Sequence, residues 1–123
     1  MNTETGDGVS VQLNKMEDVA GGCRTYLVLE NRFDHGFETY KMDLVMFGRN
    51  GGIIRRLAVD AGPMAEGKTL VKLFDVPDTK CERIDRLLLN QVMTCKLKKE
   101  GRAINNCTSH TYTASRLKTS FIK

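Results

Sequence analysis

The sequence predicts an all-β protein, two antiparallel sheets packed as a sandwich of about seven strands. Three observations carry that expectation. Apolar residues fall on every second position through long stretches, as in Tyr40, Met42, Leu44 and Met46 with Lys41 and Asp43 between them. Such alternation puts one side of a strand on a core and the other toward water. Turn signals recur between the alternating runs, among them Gly21-Gly22, Asn50-Gly51 and Gly62-Pro63. Finally, 123 residues with 41% hydrophobic and 28% charged side chains suit one domain with a real core.

In chain order, residues 1–7 are polar and acidic and are expected to form a loose tail before a single domain over 8–123. Val9, Val11 and Leu13 alternate in a first strand, A. After the Gly21-Gly22 turn, strand B puts Cys23, Thr25, Leu27 and Leu29 on one face, and residues 31–36 form a loop. Strand C runs from about Glu38 to Phe47. Asn50-Gly51 tolerates positive φ and turns C back into strand C′, Ile53 to Val59, with Leu57 and Val59 inward. Ala61 to Gly67 is a crossing loop. Strand E covers Lys68 to Val76, with Thr69, Val71 and Leu73 expected to face in, and stops at Pro77-Asp78.

Cys81 to Cys95 reads two ways. Ile84, Leu87, Leu88 and Gln91 could share a helix face, or strand F could run through Leu87 to Met93 after a short helical turn near Cys81 to Asp85. The surrounding β pattern favours the strand. Lys96 to Asn106 is a charged loop, and Tyr112 to Ile122, rich in Thr and Ser, is expected as one last strand, G.

No apolar run approaches the roughly 18 residues of a spanning helix, so a soluble chain without a membrane span is expected. Nineteen Lys and Arg against fifteen Asp and Glu give a formal charge of +4. The basic residues are dispersed. Lys96, Lys98 and Lys99 form the densest group, and together with Arg55 and Arg56 they are the candidate binding residues. There is no Trp and little sign of a stacking platform for bases, which disfavours a nucleic-acid partner.

Catalytic and metal signals are weak. Ser109 and His110 could open a Ser-His-Asp set, but no G-x-S-x-G elbow accompanies them. His35 beside Asp34 reads as a surface pair. Six methionines raise copper, yet no histidine lies near Met93 and Cys95, and Met42 and Met46 fall at core spacing. Asp60, Asp75, Asp78 and Glu82 lack the spacing of a calcium loop. Asn106-Cys107-Thr108 matches a glycosylation sequon, a pattern too short to carry weight. No metal or cofactor is expected, and no enzymatic activity.

The four cysteines Cys23, Cys81, Cys95 and Cys107 show no C-x-x-C spacing. An even count in a small β domain indicates two disulfides and an oxidising compartment. The chain opens without a basic segment and apolar stretch of signal-peptide type. Periplasmic or secreted localisation therefore implies a leader on the precursor.

Several stretches carry a resemblance: Gly22-Cys23-Arg24 before an alternating strand and Asn31; Leu44 to Phe47 before a glycine hairpin; Gly67 to Thr69 ahead of Phe74 to Pro77; Leu87 to Asn90 after Cys81; Cys95 and Cys107 before Ser115-Arg116. In that order the chain resembles small exported proteins of alphaproteobacteria, whose precursors are often labelled as twin-arginine signal proteins and for which no biochemical function is established. In architecture the pattern also resembles an immunoglobulin-like, fibronectin type III-like sandwich, without the usual core tryptophan. That topology implies sheets A-B-E and C′-C-F-G. It also chooses among the three possible cysteine pairings. Cys23 after the A–B turn and Cys81 in the E–F connection belong to one end; Cys95 closing F and Cys107 preceding G belong to the other. A crossed pairing would bridge a strand length of roughly 17–20 Å, against the roughly 4.4–6.8 Å between α-carbons that a disulfide permits. Cys23–Cys81 and Cys95–Cys107 are therefore expected. The expected function is a non-catalytic binding or structural module with a protein partner, acting through a sheet face or one loop end. Polyanion binding through the basic loops, or copper carriage, are the alternatives.

Overall fold

In the computed structural model, which describes residues 8–99 and 101–123, the alternating runs become strands in the expected order. They are β1 (Val9–Val19), β2 (Gly22–Asn31), β3 (Phe37–Phe47), β4 (Ile53–Asp60), β5 (Thr69–Pro77), β6 (Arg86–Leu97), β7 (Thr111–Ser115) and β8 (Ser120–Ile122). Short 3-10 turns occupy Cys81–Arg83 and Thr108–His110. The expected tail at 1–7 lies outside the described residues. The ambiguous segment resolves as a strand, because Leu87 and Leu89 alternate inward beside Met46 and Leu44 of β3.

Two four-stranded sheets result, ordered β5-β2-β1-β7 and β4-β3-β6-β8. Their inner faces meet through Val9, Val11, Leu13, Leu27 and Leu29 on one side and Tyr40, Met42, Leu44 and Met46 on the other, all fully buried. Burying each such side chain contributes roughly 1.5–3 kcal/mol before entropy is charged against it. The sandwich and its A-B-E and C′-C-F cores are as the sequence predicts.

Strand E is out of phase with its prediction. Val71 and Leu73 are 56% and 45% exposed, while Val76 is buried and Phe74 half-buried. The register explains it: Leu70, Phe74 and Val76 stand opposite Leu29, Thr25 and Cys23, the inward set of β2. Both phases of this strand are apolar, so its own pattern does not choose between them. Pairing with β2 does, and a one-residue slip flips every side chain.

Strand G is also corrected: it is two strands in two sheets. β7 runs parallel to β1, from Val9 opposite Thr111 to Leu13 opposite Ser115. β8 runs parallel to β6, from Arg86 opposite Ser120 to Leu88 opposite Ile122. Between them Ser115 Oγ accepts the Leu117 amide at 3.0 Å and donates to the Thr119 carbonyl at 2.6 Å. Hydroxyls that bond the backbone locally compete with strand extension. Here that competition reverses the chain and passes it from one sheet to the other.

Both disulfides form as expected, Cys23–Cys81 with α-carbons 5.0 Å apart and Cys95–Cys107 with 6.6 Å. Near the second, the buried Tyr40 hydroxyl hydrogen-bonds Thr111 Oγ1, which donates to the Cys107 carbonyl at 2.6 Å. Burial pushes the Tyr40 hydroxyl up to about 12, opposed by its bond to Thr111.

On the outer face of the second sheet Asp43 is almost completely buried beneath Arg56. The guanidinium donates from Nε at 2.9 Å and Nη2 at 2.7 Å to the two carboxylate oxygens, and Asn90 adds a third bond at 2.9 Å. The Arg56 hydrogen bonds, with help from Asn90, outweigh desolvation and hold the Asp43 carboxyl far below the usual range. A folded-state value depressed below the unfolded one, about 3.9, stabilises at higher pH. That contribution is complete above the unfolded value and is lost as pH falls through the folded one. Arg56→Met should therefore be less stable than the parent near neutrality, with the difference narrowing steadily below pH of about 4. Urea midpoints from pH 7 to pH 2 check this, and a gap that stays constant with pH would refute it.

Candidate functional site

Asn31, at the end of β2, organises one end of the sandwich. It occupies the inward position after Leu27 and Leu29 and is fully buried. A buried amide needs partners, and Asn31 finds them in two loops. Its Nδ2 donates to the His35 carbonyl at 2.9 Å and the Ala65 carbonyl at 3.2 Å, and its Oδ1 accepts the Phe33 amide at 3.0 Å. The β2–β3 loop and the β4–β5 loop are thereby tied to one side chain.

Backbone bonds tighten the same end. Phe37 and Met64 exchange amide–carbonyl bonds at 2.8 Å each, and the Lys98 amide donates to the Gly36 carbonyl at 3.0 Å. Glycine permits this approach: a Cβ on Gly36 would lie 3.1 Å from the Met64 carbonyl oxygen and 3.2 Å from Lys98 Cδ. At Gly62 a Cβ would collide with the Glu38 carbonyl. Aromatic edges support the loop from behind, Phe33 against Phe37 at 5.4 Å and against His110 at 6.1 Å.

Between these loops and the end of β6 opens a cleft of about 520 Å³, lined by Asp34, His35, Gly36, Ala65, Glu66, Leu97, Lys98 and Lys99. Leu97 and the two small residues make an apolar floor. The rim carries both signs. Asp34 lies 3.4 Å from His35 Nε2, whereas Glu66, Lys98 and Lys99 make no ion pair among the described residues. Such a rim can orient a ligand that presents both a carboxylate and a cation over a short apolar segment.

The candidate binding residues do not form one surface. Lys98 and Lys99 line the cleft, while Lys96 is on the outer face of β6 opposite Thr39. Arg55 and Arg56 project to opposite sides of β4. Arg55 donates to the Pro77 and Ile54 carbonyls at 3.1 and 2.9 Å, and Arg56 is engaged with Asp43. Arg56 pairs with Val45, six positions along β3 from Thr39, or roughly 20 Å from Lys96 at strand rise. Asn31 enters the sequence analysis only as a point of resemblance and not as a site residue. Its signal was a polar residue on the inward phase of an otherwise apolar run.

Other candidates are used structurally. Ser109 Oγ donates to the Asn106 carbonyl at 2.9 Å, and the His110 ring rests on Phe33, so no nucleophile–base pair is assembled there. All four cysteines are in disulfides, Met42, Met46 and Met64 are fully buried, and no group of three or more His, Cys, Asp or Glu among the described residues could hold a metal.

Fold and cleft together define a disulfide-bonded β-sandwich with a two-signed cleft at one loop end. No family model matches the chain, and no curated protein does. Among solved structures it is similar to IrmA from Escherichia coli, with a TM-score of 0.65 over 86% of this chain and 90% of that one, at 13% identity. At that identity the likeness speaks for the fold alone.

Replacing Asn31 by Leu would keep the branching but leave the His35 carbonyl and the Phe33 amide without the partner Asn31 supplies, while the Ala65 carbonyl would retain the Lys68 amide at 3.3 Å. A loss of about 2–3 kcal/mol is expected, with faster hydrogen exchange at the Phe33 amide than in the β1–β2 ladder. Urea unfolding and exchange measured by NMR check both, and a variant with parental exchange at Phe33 would remove Asn31 from its organising place.

Proposed function

We propose that this protein is a non-catalytic binding module of an oxidising, extracytoplasmic compartment, and that it recognises a protein partner through the cleft between the β2–β3 loop, the β4–β5 loop and the end of β6. The observation that carries the reading is charge that makes no ion pair among the described residues, set on a braced site. Glu66 stands on a loop that Asn31 and the Phe37–Met64 pair fix to the sandwich, and Lys98, with Lys99 beside it, is held across the apolar floor by its amide bond to the Gly36 carbonyl. Loops on a rigid scaffold are where recognition concentrates, and rim charges that need no release from internal partners are available to an incoming one. Two disulfides support the compartment. Acidic Asp34 and Glu66 within the cleft argue against a general polyanion site.

The test is affinity capture from envelope extract on immobilised parent, on Lys98→Glu/Lys99→Glu and on Glu66→Lys. A protein held by the parent and reduced at least tenfold on both variants supports the reading. Equal retention on all three contradicts it, as does tight heparin binding that falls steeply with salt and is lost on the lysine variant.

A further inference from the structure

Four strands end the two sheets, and they are protected unequally. β7 and β8 have only five and three residues, and β4 carries Arg55, Arg56 and Asp60 within eight. β5 has nine residues, is bordered by β2 alone and holds no proline before Pro77. A long edge strand presents a row of backbone groups to another chain. Here that row can be read from the ladder. The Asn31 amide donates to the Lys68 carbonyl at 2.9 Å, and the Asp78 amide to the Gly21 carbonyl at 2.8 Å. Between these two bonds the register runs without a shift. Alternation therefore turns the backbone groups of Leu70, Lys72, Phe74 and Val76 toward β2, and those of Thr69, Val71, Leu73 and Asp75 away from it. The latter have no other partner among the described residues. The next carbonyl of that phase, Pro77, accepts from Arg55 at 3.1 Å and from Thr79 Oγ1 at 2.7 Å, which ends the open stretch.

The side chains of the edge define what can lie beside it. Val71 and Leu73, both exposed, stand on the outer phase opposite Val28 and Tyr26. The carboxylates of that phase already have partners, Asp75 in Arg24 at 2.9 Å and Glu30 in Arg32 at 3.0 Å. Lys72 is on the inward phase opposite Leu27, half-buried between Leu70 and Phe74. Its ammonium makes no ion pair among the described residues. The inward set of β2, from Cys23 to Asn31, offers it no acid. An inward-pointing charge deters indiscriminate strand pairing. A second copy of this edge would not satisfy it either. Two-fold antiparallel pairing sets residues of one phase opposite each other, so Lys72 would face Leu70, Phe74, Val76 or another Lys72.

We propose that the open edge of β5 takes an added antiparallel strand from a partner protein, with a carboxylate opposite Lys72 and apolar side chains opposite Val71 and Leu73. Such a strand makes its hydrogen-bonded pairs with Val71 and Leu73, and these main-chain bonds supply affinity. It meets Lys72 in a non-hydrogen-bonded pair, where facing side chains approach more closely. There an opposite charge stabilises and a like charge repels. Lys72 thereby selects among extended segments that the backbone alone would accept equally. The surface uses none of the residues that line the cleft.

The experiment titrates the ¹⁵N-labelled full chain with three acetylated, amidated heptapeptides. They are Thr-Thr-Ile-Glu-Ile-Thr-Thr, the same with Lys in place of Glu, and the first with both Ile amides N-methylated. The first should shift the Val71 and Leu73 amides and slow their hydrogen exchange, and the other two should bind at least tenfold more weakly. Lys72→Glu should reverse the preference between the Glu and Lys peptides. Val71→Pro removes an edge amide that the β2 ladder does not use; it should weaken binding at least tenfold with parental folding, while Lys98→Glu/Lys99→Glu leaves binding unchanged. The proposal is overturned if the first peptide leaves Val71 and Leu73 unmoved, if the Lys or N-methylated peptide binds as well, or if Lys72→Glu keeps the parental preference. Broadening of these amides with protein concentration alone would also overturn it, by making the edge a contact between copies.

Discussion

The structure depends on a buried junction where the two sheets and the returning chain meet. Tyr40, in the first half of β3, stands opposite Cys95 of β6. Cys95 is bonded to Cys107, whose carbonyl accepts from Thr111, and Thr111 in turn is bonded to the Tyr40 hydroxyl. One loop of covalent and hydrogen bonds thus links the first half of β3, the end of β6 and the start of β7. β7 has only five residues and lies at the edge of its sheet, parallel to β1. So short a strand is weakly held by its ladder alone, and the junction sets where it begins. A buried hydroxyl without a partner would cost about 1–3 kcal/mol, so this geometry penalises any other placement of Thr111.

The cleft inherits its shape from that junction. Phe37, three residues before Tyr40, carries the Phe33 ring and exchanges backbone bonds with Met64, and Lys98 follows β6 directly into the Gly36 carbonyl. The loops around the cleft are therefore extensions of the strands that the junction clamps. The 96–106 segment is further closed by Cys95–Cys107, which limits how far Lys98 and Lys99 can wander.

Much of the fold was legible because alternation is a direct readout of burial. Val9 to Leu13, Cys23 to Leu29 and Tyr40 to Met46 each show a single apolar phase, and their faces were read correctly. The phase of β5 was not, because Leu70, Phe74 and Val76 compete with Val71 and Leu73, and only the β2 register separates the two sets. The break in the last strand was hidden in Ser115 and Thr119, residues equally suited to a strand and to a hydroxyl-bonded turn. The disulfide pairing could be read from topology, since it needed only to know which connections share an end. The candidate site was legible in part. Lys98 and Lys99 were singled out by charge density, but the acids facing them and the Asn31 brace arise from loops brought together over more than 30 residues of separation. Arg55 and Arg56 looked like a pair, yet the strand period sends them to opposite faces.

The central claim, that the Tyr40–Thr111 bond fixes the junction, is tested most directly by a double-mutant cycle with Tyr40→Phe, Thr111→Val and the pair, read by urea unfolding with hydrogen exchange at the β7 amides. The account predicts a coupling energy of about 1 kcal/mol or more, and β7 exchange that quickens in either single variant while β2 and β3 stay protected. Additive losses, with β7 protected as in the parent, would contradict it.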